Sequence, residues 1–211
     1  MTEHTKDDRQ GYWNERYAQR GMLWGAEANQ FVVRYLADFP PGTVLDLASG
    51  QGRNAVWLAA RGHIVTAVDV SSVAAAQAAR VAEETGVEVN FVTADLLEWE
   101  PDTVYDLVVL SYLQVPSELR RAVHEKAIRA VAPGGAVFVV AHHLDNLEHG
   151  VGGPSDATVL FTEEDLAEDF ATFDIEVLER VLRHVESEEV TGDAIDVAML
   201  ARKPADVTSS G

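Results

Sequence analysis

Apolar residues recur at helical spacing over Gly11–Gly21, with Tyr12, Trp13 and Tyr17. They do so again over Asn29–Phe39, with Phe31, Val32, Tyr35 and Leu36, until Pro40-Pro41-Gly42 stops the run. The rhythm then changes. Thr43–Ala48 is a continuous apolar run and reads as a buried strand, followed by a helix over Arg53–Arg61 that Gly62 ends. A second strand over Ile64–Val68 closes on Asp69, and an alanine-rich helix over Ser72–Thr85 carries Gly86 at its cap. Strands follow over Val87–Thr93 and Tyr105–Leu110. A helix over Ser117–Val131 has Ser117 as its cap and Pro133-Gly134-Gly135 as its end, before a fifth strand over Ala136–Ala141. Beyond His142 come a loop to Thr158, a short helix over Thr162–Phe170, and two strand-like runs, Phe173–His184 and Ile195–Ala201, joined by a polar turn.

Non-alternating strands separated by helices are buried on both faces and pair in parallel. The pattern predicts an α/β domain with a doubly wound sheet, and its last two runs predict an antiparallel hairpin at the sheet edge. The whole chain reads as a single domain over 1–211: an N-terminal helical lid (1–41), a ligand-binding core (42–141), a loop and C-terminal hairpin (142–203) and a tail (204–211).

Composition narrows the chemistry. With 35 acidic against 16 basic side chains and a formal charge of −19, a nucleic acid or an anionic membrane surface is a poor partner. The chain has no cysteine, which removes disulfides, zinc–thiolate sites and cysteine nucleophiles. No apolar run approaches the ~18 residues of a membrane span, and the polar Met1–Gln10 segment is not a signal peptide, so a cytoplasmic protein is expected. Oligomeric state is not legible.

The most informative stretch is Asp46-Leu47-Ala48-Ser49-Gly50-Gln51-Gly52-Arg53-Asn54, a strand that turns through two glycines into a helix. Glycines there let the backbone approach a ligand, and the helix start offers free N–H groups. Asp69 ends the next strand and can accept from a ribose diol, and Asp95 ends the third and can accept from a purine amine. The bland alternative is that these acids only cap turns. A dinucleotide remains a rival ligand because Gly50, Gly52 and Ala55 satisfy a tolerant form of its fingerprint. Asp46, placed before the glycines, disfavours a pyrophosphate and suits a ligand with a charged amine.

These motifs, with Thr93-Ala94-Asp95-Leu96, Tyr105-Asp106-Leu107-Val108 and Pro133-Gly134-Gly135, resemble class I S-adenosylmethionine-dependent methyltransferases over roughly Gly42–Ala141. Ala48 stands where that family's turn has its first glycine. Tyr12-Trp13-Asn14-Glu15-Arg16-Tyr17 and Trp24-Gly25-Ala26-Glu27-Ala28-Asn29 resemble the N-terminal element of the tellurite-resistance and thiopurine type, although Ala28 replaces an expected proline. The resemblance implies a Rossmann-like, seven-stranded, mostly parallel sheet with an antiparallel last strand. It implies S-adenosyl-L-methionine as cofactor: Asp46, Ala48 and Gly50 at the methionine end, Gly52 among the cofactor-binding residues of the same turn, Asp69 at the ribose, Val70, Asp95 and Leu96 around the adenine, and Trp24 and Ser111 lining the site.

Methyl transfer from a sulfonium is an in-line displacement that mainly needs reactants held at ~3 Å. A base is required only when the acceptor arrives protonated. The candidates for contact with the acceptor are Tyr112, His142 and His143. For the histidines, with Asp145 and His149 nearby, the readings are substrate contact or base, metal ligation, or plain loop packing, and no metal is assigned. Gly150-Val151-Gly152-Gly153-Pro154 reads as a flexible gate. A small-molecule acceptor (a thiol, a metalloid oxyanion or a small metabolite) fits the charge and the missing cysteines. An NAD(P)-linked oxidoreductase and a non-catalytic adenosyl-binding paralogue are the alternatives.

Overall fold

The computed structural model describes residues 6–19, 26–186 and 190–205. The chain forms two compact units, Met1–Tyr105 and Asp106–Gly211.

In the first unit, helices α1 (Lys6–Gln19) and α2 (Gln30–Leu36) precede strand β1 (Thr43–Leu47). Helix α3 (Arg53–Ala59), strand β2 (Ile64–Asp69), helix α4 (Ser72–Thr85) and strand β3 (Val89–Thr93) follow. Strands β1, β2 and β3 pair in parallel, with Asp46 opposite Ala67 and Asp69 opposite Thr93. Both acids therefore belong to the sheet itself. Local chemistry sets the helix ends: the Asn29 side chain accepts from Phe31 and Val32 N–H to start α2, and Ser71 Oγ accepts from Ala74 N–H to start α4. Gly86, left-handed at φ 74°, closes α4. The alanines explain how α4 packs: Ala74, Ala78 and Ala82, one turn apart, form its buried stripe.

Strand β4 (Tyr105–Ser111) opens the second unit but for its first residue, and helix α5 (Ser117–Ala130) and strand β5 (Val131–His142) come next. Helix α6 (Asn146–His149), a 3₁₀ turn at Ala157–Val159 and helix α7 (Glu163–Asp169) follow, then strands β6 (Asp174–Glu186) and β7 (Thr191–Arg202). Strand β7 runs antiparallel to both β5 and β6. Leu107, Val109, Phe138 and Val140 are fully buried, each worth about 1.5–3 kcal/mol. Strand order is β3-β2-β1-β4-β5-β7-β6, the seven-stranded mixed Rossmann-like sheet with an antiparallel last strand.

Among the boundaries that differ from expectation, three bear on how the elements begin and end. Helix α1 begins at Lys6, five residues ahead of the amphipathic run. Helix α5 ends at Ala130, and Pro133-Gly134-Gly135 lie within β5, where Gly134 N–H donates to Lys203 O and Lys203 N–H to Gly135 O. A proline–glycine pair often stops a helix, but here long-range pairing outweighs that local signal. Pro116, extended at ψ 150°, holds the N-cap position expected of Ser117 and makes no side-chain cap.

Candidate active site

The turn between β1 and α3 is wound left-handed at three positions: Ala48 (φ 56°), Gly50 (φ 53°) and Gly52 (φ 74°). Ala48 adopts a conformation that costs an L-residue about a kcal/mol, the sort of strain that functional turns retain. A side chain at Gly50 would meet the Tyr17 hydroxyl at 2.8 Å, and one at Gly52 would meet Ala78 Cβ at 2.8 Å. The first glycine brings the backbone up to α1, and the second brings it up to α4.

Asp69 holds this turn. Its Oδ2 accepts from Gly50 N–H at 2.7 Å and its Oδ1 from Ser71 N–H at 2.8 Å. Burial, above all, pushes the Asp69 carboxyl upward, against the pull of those amides. Each carboxylate oxygen keeps a second lone pair, so the grip on the backbone leaves room for a diol. Asp46 is only 1% exposed and its Oδ2 has no hydrogen-bond partner among the described residues. Burial first, and the Asp69 charge second, raise its pKa from 3.8 to about 7, while Arg53 and the Ala55 amide oppose the rise. A buried, half-satisfied carboxylate beside a glycine turn fits a ligand with an ammonium group, and it would repel a pyrophosphate.

Asp95 is occupied from within. Its Oδ1 accepts from Leu97 N–H at 2.9 Å, and its Oδ2 accepts from Arg9 Nε at 3.0 Å and Nη2 at 2.5 Å. Helix α1 lies along the same edge: Gln10 Nε2 donates to Val70 O, and Asn14 Oδ1 accepts from Ser71 Oγ and Val73 N–H. Leu96 is buried beside Asp95. The cofactor-facing candidates Asp46, Ala48, Gly50, Gly52, Asp69, Val70, Asp95 and Leu96 thus share the carboxyl ends of β1–β3, where open α/β sheets bind ligands. Trp24 lies outside the described residues. Arg16 donates to the Tyr12 hydroxyl at 2.9 Å and stacks over Trp13. A shallow groove of about 350 Å³ at the amino ends of β1 and β2, near Trp99, is at the opposite edge.

In the second unit Ser111 ends β4 and Tyr112 follows it in the left-handed region, at φ 56°. The Tyr112 hydroxyl donates to Asp196 Oδ2 at 2.7 Å, and Arg183 Nε donates to the same oxygen at 2.9 Å. His142 ends β5 directly opposite Asp196, with Nδ1 at 2.9 Å from Oδ1. That approach is close but out of line, because neither atom completes a hydrogen bond with good geometry. Asp196 is fully buried. Burial alone would raise its pKa, but His142, Arg183 and Tyr112 together hold it below the ordinary value.

His143 lies one residue beyond β5. Its Nδ1 accepts from Asp145 N–H at 3.0 Å and its Nε2 meets Glu163 at 2.7 Å, so both ring nitrogens have partners. His149 is exposed beside Glu148, and no group of three metal-ligating side chains occurs among the described residues. Two hydrogen bonds reach the Gly150–Pro154 segment: Asn146 Nδ2 donates to Gly152 O at 2.8 Å and Val151 N–H donates to Asp193 O at 3.2 Å.

Sequence reading missed Asp196, Arg183 and Gln114. Asp196 had a signal, a lone acid inside the apolar run Ala194–Ala201. Gln114 had none, yet both of its amide atoms are buried and unpartnered among the described residues.

Residues 44–135 match the sequence family of methyltransferase domains. A 2-heptyl-1-hydroxyquinolin-4(1H)-one methyltransferase of Mycobacteroides abscessus is 31% identical over 117 residues, which are 54% of this chain and 52% of that protein. The chain spans about half the length of that curated relative, or less for the next. Among solved structures, TehB of Haemophilus influenzae superposes with a TM-score of 0.73 at 20% identity, over 90% of this chain and 67% of that one. The N-methyltransferase NodS of Bradyrhizobium japonicum, solved with S-adenosyl-L-homocysteine, gives 0.71 at 17% identity, over 93% of this chain and all of that one. Residues 44–135 are thus similar to methyltransferase domains, and the chain has the Rossmann-like, seven-stranded methyltransferase fold with an antiparallel last strand.

Proposed function

We propose that the protein is an S-adenosyl-L-methionine-dependent methyltransferase acting on a small-molecule acceptor. The observation that carries this reading is Asp46: a sealed carboxylate with an unpartnered oxygen beside a left-handed glycine turn. Asp46 and the backbone of Ala48–Gly50 would hold the amino-acid end of the cofactor, Asp69 its ribose, and Val70, Asp95 and Leu96 its adenine. Bound there, the cofactor supplies a methyl group already activated by a sulfonium. The protein's own work is to bind, to exclude water and to hold the acceptor in line.

A small acceptor agrees with the charge of −19, which opposes nucleic acid, and with the absence of cysteine, which removes mechanisms that need a thiolate. The M. abscessus relative is named for a hydroxyquinolone substrate, and a second relative, from Rickettsia felis, for ubiquinone biosynthesis O-methylation. Both names favour a hydroxylated ring over a metalloid oxyanion. The likeness to TehB is one of fold, and the N-terminal element that suggested the tellurite-resistance type falls partly on 20–25, outside the described residues.

Calorimetry tests the reading. S-adenosyl-L-homocysteine binds, NAD does not, and Asp69→Ala weakens binding at least tenfold. Equal affinity of Asp69→Ala and the parent, or heat from NAD alone, sinks it.

A further inference from the structure

Three buried or half-buried histidines contact carboxylates in the second unit, and they differ in what is left over. His124 Nδ1 meets Asp169 at 2.8 Å, but its Nε2 is sealed in the core. His143 has both nitrogens engaged. His142 alone of the three keeps an accessible nitrogen: its side chain is 12% exposed and its Nε2 has no hydrogen-bond partner among the described residues. It also stands at the carboxyl end of a strand, the edge at which open α/β sheets bind ligands.

We propose that His142 is the general base for a neutral hydroxyl acceptor and that Asp196 is the residue that positions it. The proposal rests on the methyltransferase reading above and narrows its substrate class to phenols and enols. Cross-strand register places the two side chains on one face of the sheet. Tyr112 and Arg183 fix Asp196 Oδ2, so the free edge of the carboxylate, Oδ1, is the one turned to His142 Nδ1. A proton on Nδ1 leaves the Nε2 lone pair as the acceptor. The out-of-line approach is usual of such pairs before substrate tightens them. Gly153 leaves the ring its space: a Cβ there would crowd Nδ1 and Cε1 at 3.1 Å.

The chemistry selects the acceptor. A thiolate or an oxyanion arrives charged, and a neutral amine already offers a lone pair. A neutral hydroxyl is the acceptor that gains most from losing its proton during the displacement. The hydroxyl oxygen bonds to the methyl carbon, the sulfur keeps the electron pair of the broken bond, and the hydroxyl proton passes to Nε2 and then to water. Imidazole matches the acidity of a phenol or enol far better than that of an alkanol.

The test has two readouts. Nitrogen-15 NMR of the whole protein shows His142 as the Nδ1–H tautomer, and Asp196→Asn shifts it toward Nε2–H. With phenol and 4-nitrophenol as acceptors, and S-adenosyl-L-homocysteine formation as the signal, His142→Ala costs roughly 10²–10⁴-fold in kcat on phenol. The loss shrinks to several-fold on pre-ionised 4-nitrophenol, and added imidazole restores part of the phenol rate. Equal losses on the two acceptors, no imidazole rescue or an Nε2–H tautomer in the parent overturns the proposal. A parent that binds S-adenosyl-L-homocysteine but methylates neither phenol also overturns it, and leaves the methyltransferase reading standing. Failure to bind S-adenosyl-L-homocysteine removes that reading itself.

Discussion

Two buried side chains are held against their own stability, and each carries a prediction. Asp46 has its pKa raised to about 7, first by burial and then by Asp69. A carboxyl whose folded pKa lies above its unfolded value binds more protons when folded, so its contribution is fully present below pH ~4 and is lost as pH rises to about 7. Asp46→Asn removes that titration. Its stability in denaturant melts should equal the parent's near pH 4 and exceed it by a growing margin up to pH 7. The margin reaches a few kcal/mol at most, at about 1.4 kcal/mol per tenfold change in proton affinity. A margin that is flat with pH contradicts the assignment. Ligand binding should weaken in the same variant, because the lost charge is the one proposed to meet an ammonium. Gln114 makes the parallel case for the acceptor. A buried amide without partners costs about 1–3 kcal/mol, so Gln114→Leu should raise stability by that order in the same melts. If the amide serves the acceptor, KM for phenol should rise while S-adenosyl-L-homocysteine affinity holds.

At the scale of elements, α1 and the carboxyl ends of β2 and β3 compete for the same groups. Arg9 holds Asp95, the carboxylate proposed to take the adenine edge, and Gln10 holds the Val70 carbonyl. The Arg9 side chain is 25% exposed, so the pair is worth on the order of 1 kcal/mol. Binding that needs Asp95 must displace it, and Arg9→Ala should tighten S-adenosyl-L-homocysteine binding several-fold by calorimetry. Weaker binding in that variant would instead make Arg9 part of the site. Nothing in the sequence marked this contest, because Arg9 and Asp95 are 86 residues apart. What the sequence did mark was local. The βα rhythm, the Asp46–Gly52 turn, the alanine stripe of α4 and the terminal hairpin were legible because period and glycine placement are properties of neighbours. Illegible were the groups that meet only through the sheet: Asp196 beneath His142 and Tyr112, Glu163 on His143, and the pairing after β7 that draws Pro133-Gly134-Gly135 into β5.

For the whole molecule, the charge of −19 acts on stability and on ligand capture with opposite sensitivity to salt. Excess negative charge repels itself in the compact state, and screening relieves this as the Debye length falls from ~30 Å at 0.01 M to ~8 Å at 0.15 M. Denaturant midpoints should therefore rise with potassium chloride over that range. The same field draws in cations, so capture of a cationic ligand should weaken over the same range. S-adenosyl-L-methionine carries a sulfonium and an ammonium against one carboxylate, and is net positive. Its demethylated product has lost the sulfonium charge and is net neutral. The two compounds are nearly alike in shape, so their difference in salt dependence isolates the field from the contacts. Stopped-flow association of S-adenosyl-L-methionine should slow several-fold between 0.01 and 0.15 M salt, while that of S-adenosyl-L-homocysteine stays nearly constant. If both slow equally, the acidic residues act only through the fold's stability. If the product is captured as tightly as the substrate even at low salt, the field gives the substrate no advantage, and the discrimination must come from Asp46 and the turn beside it.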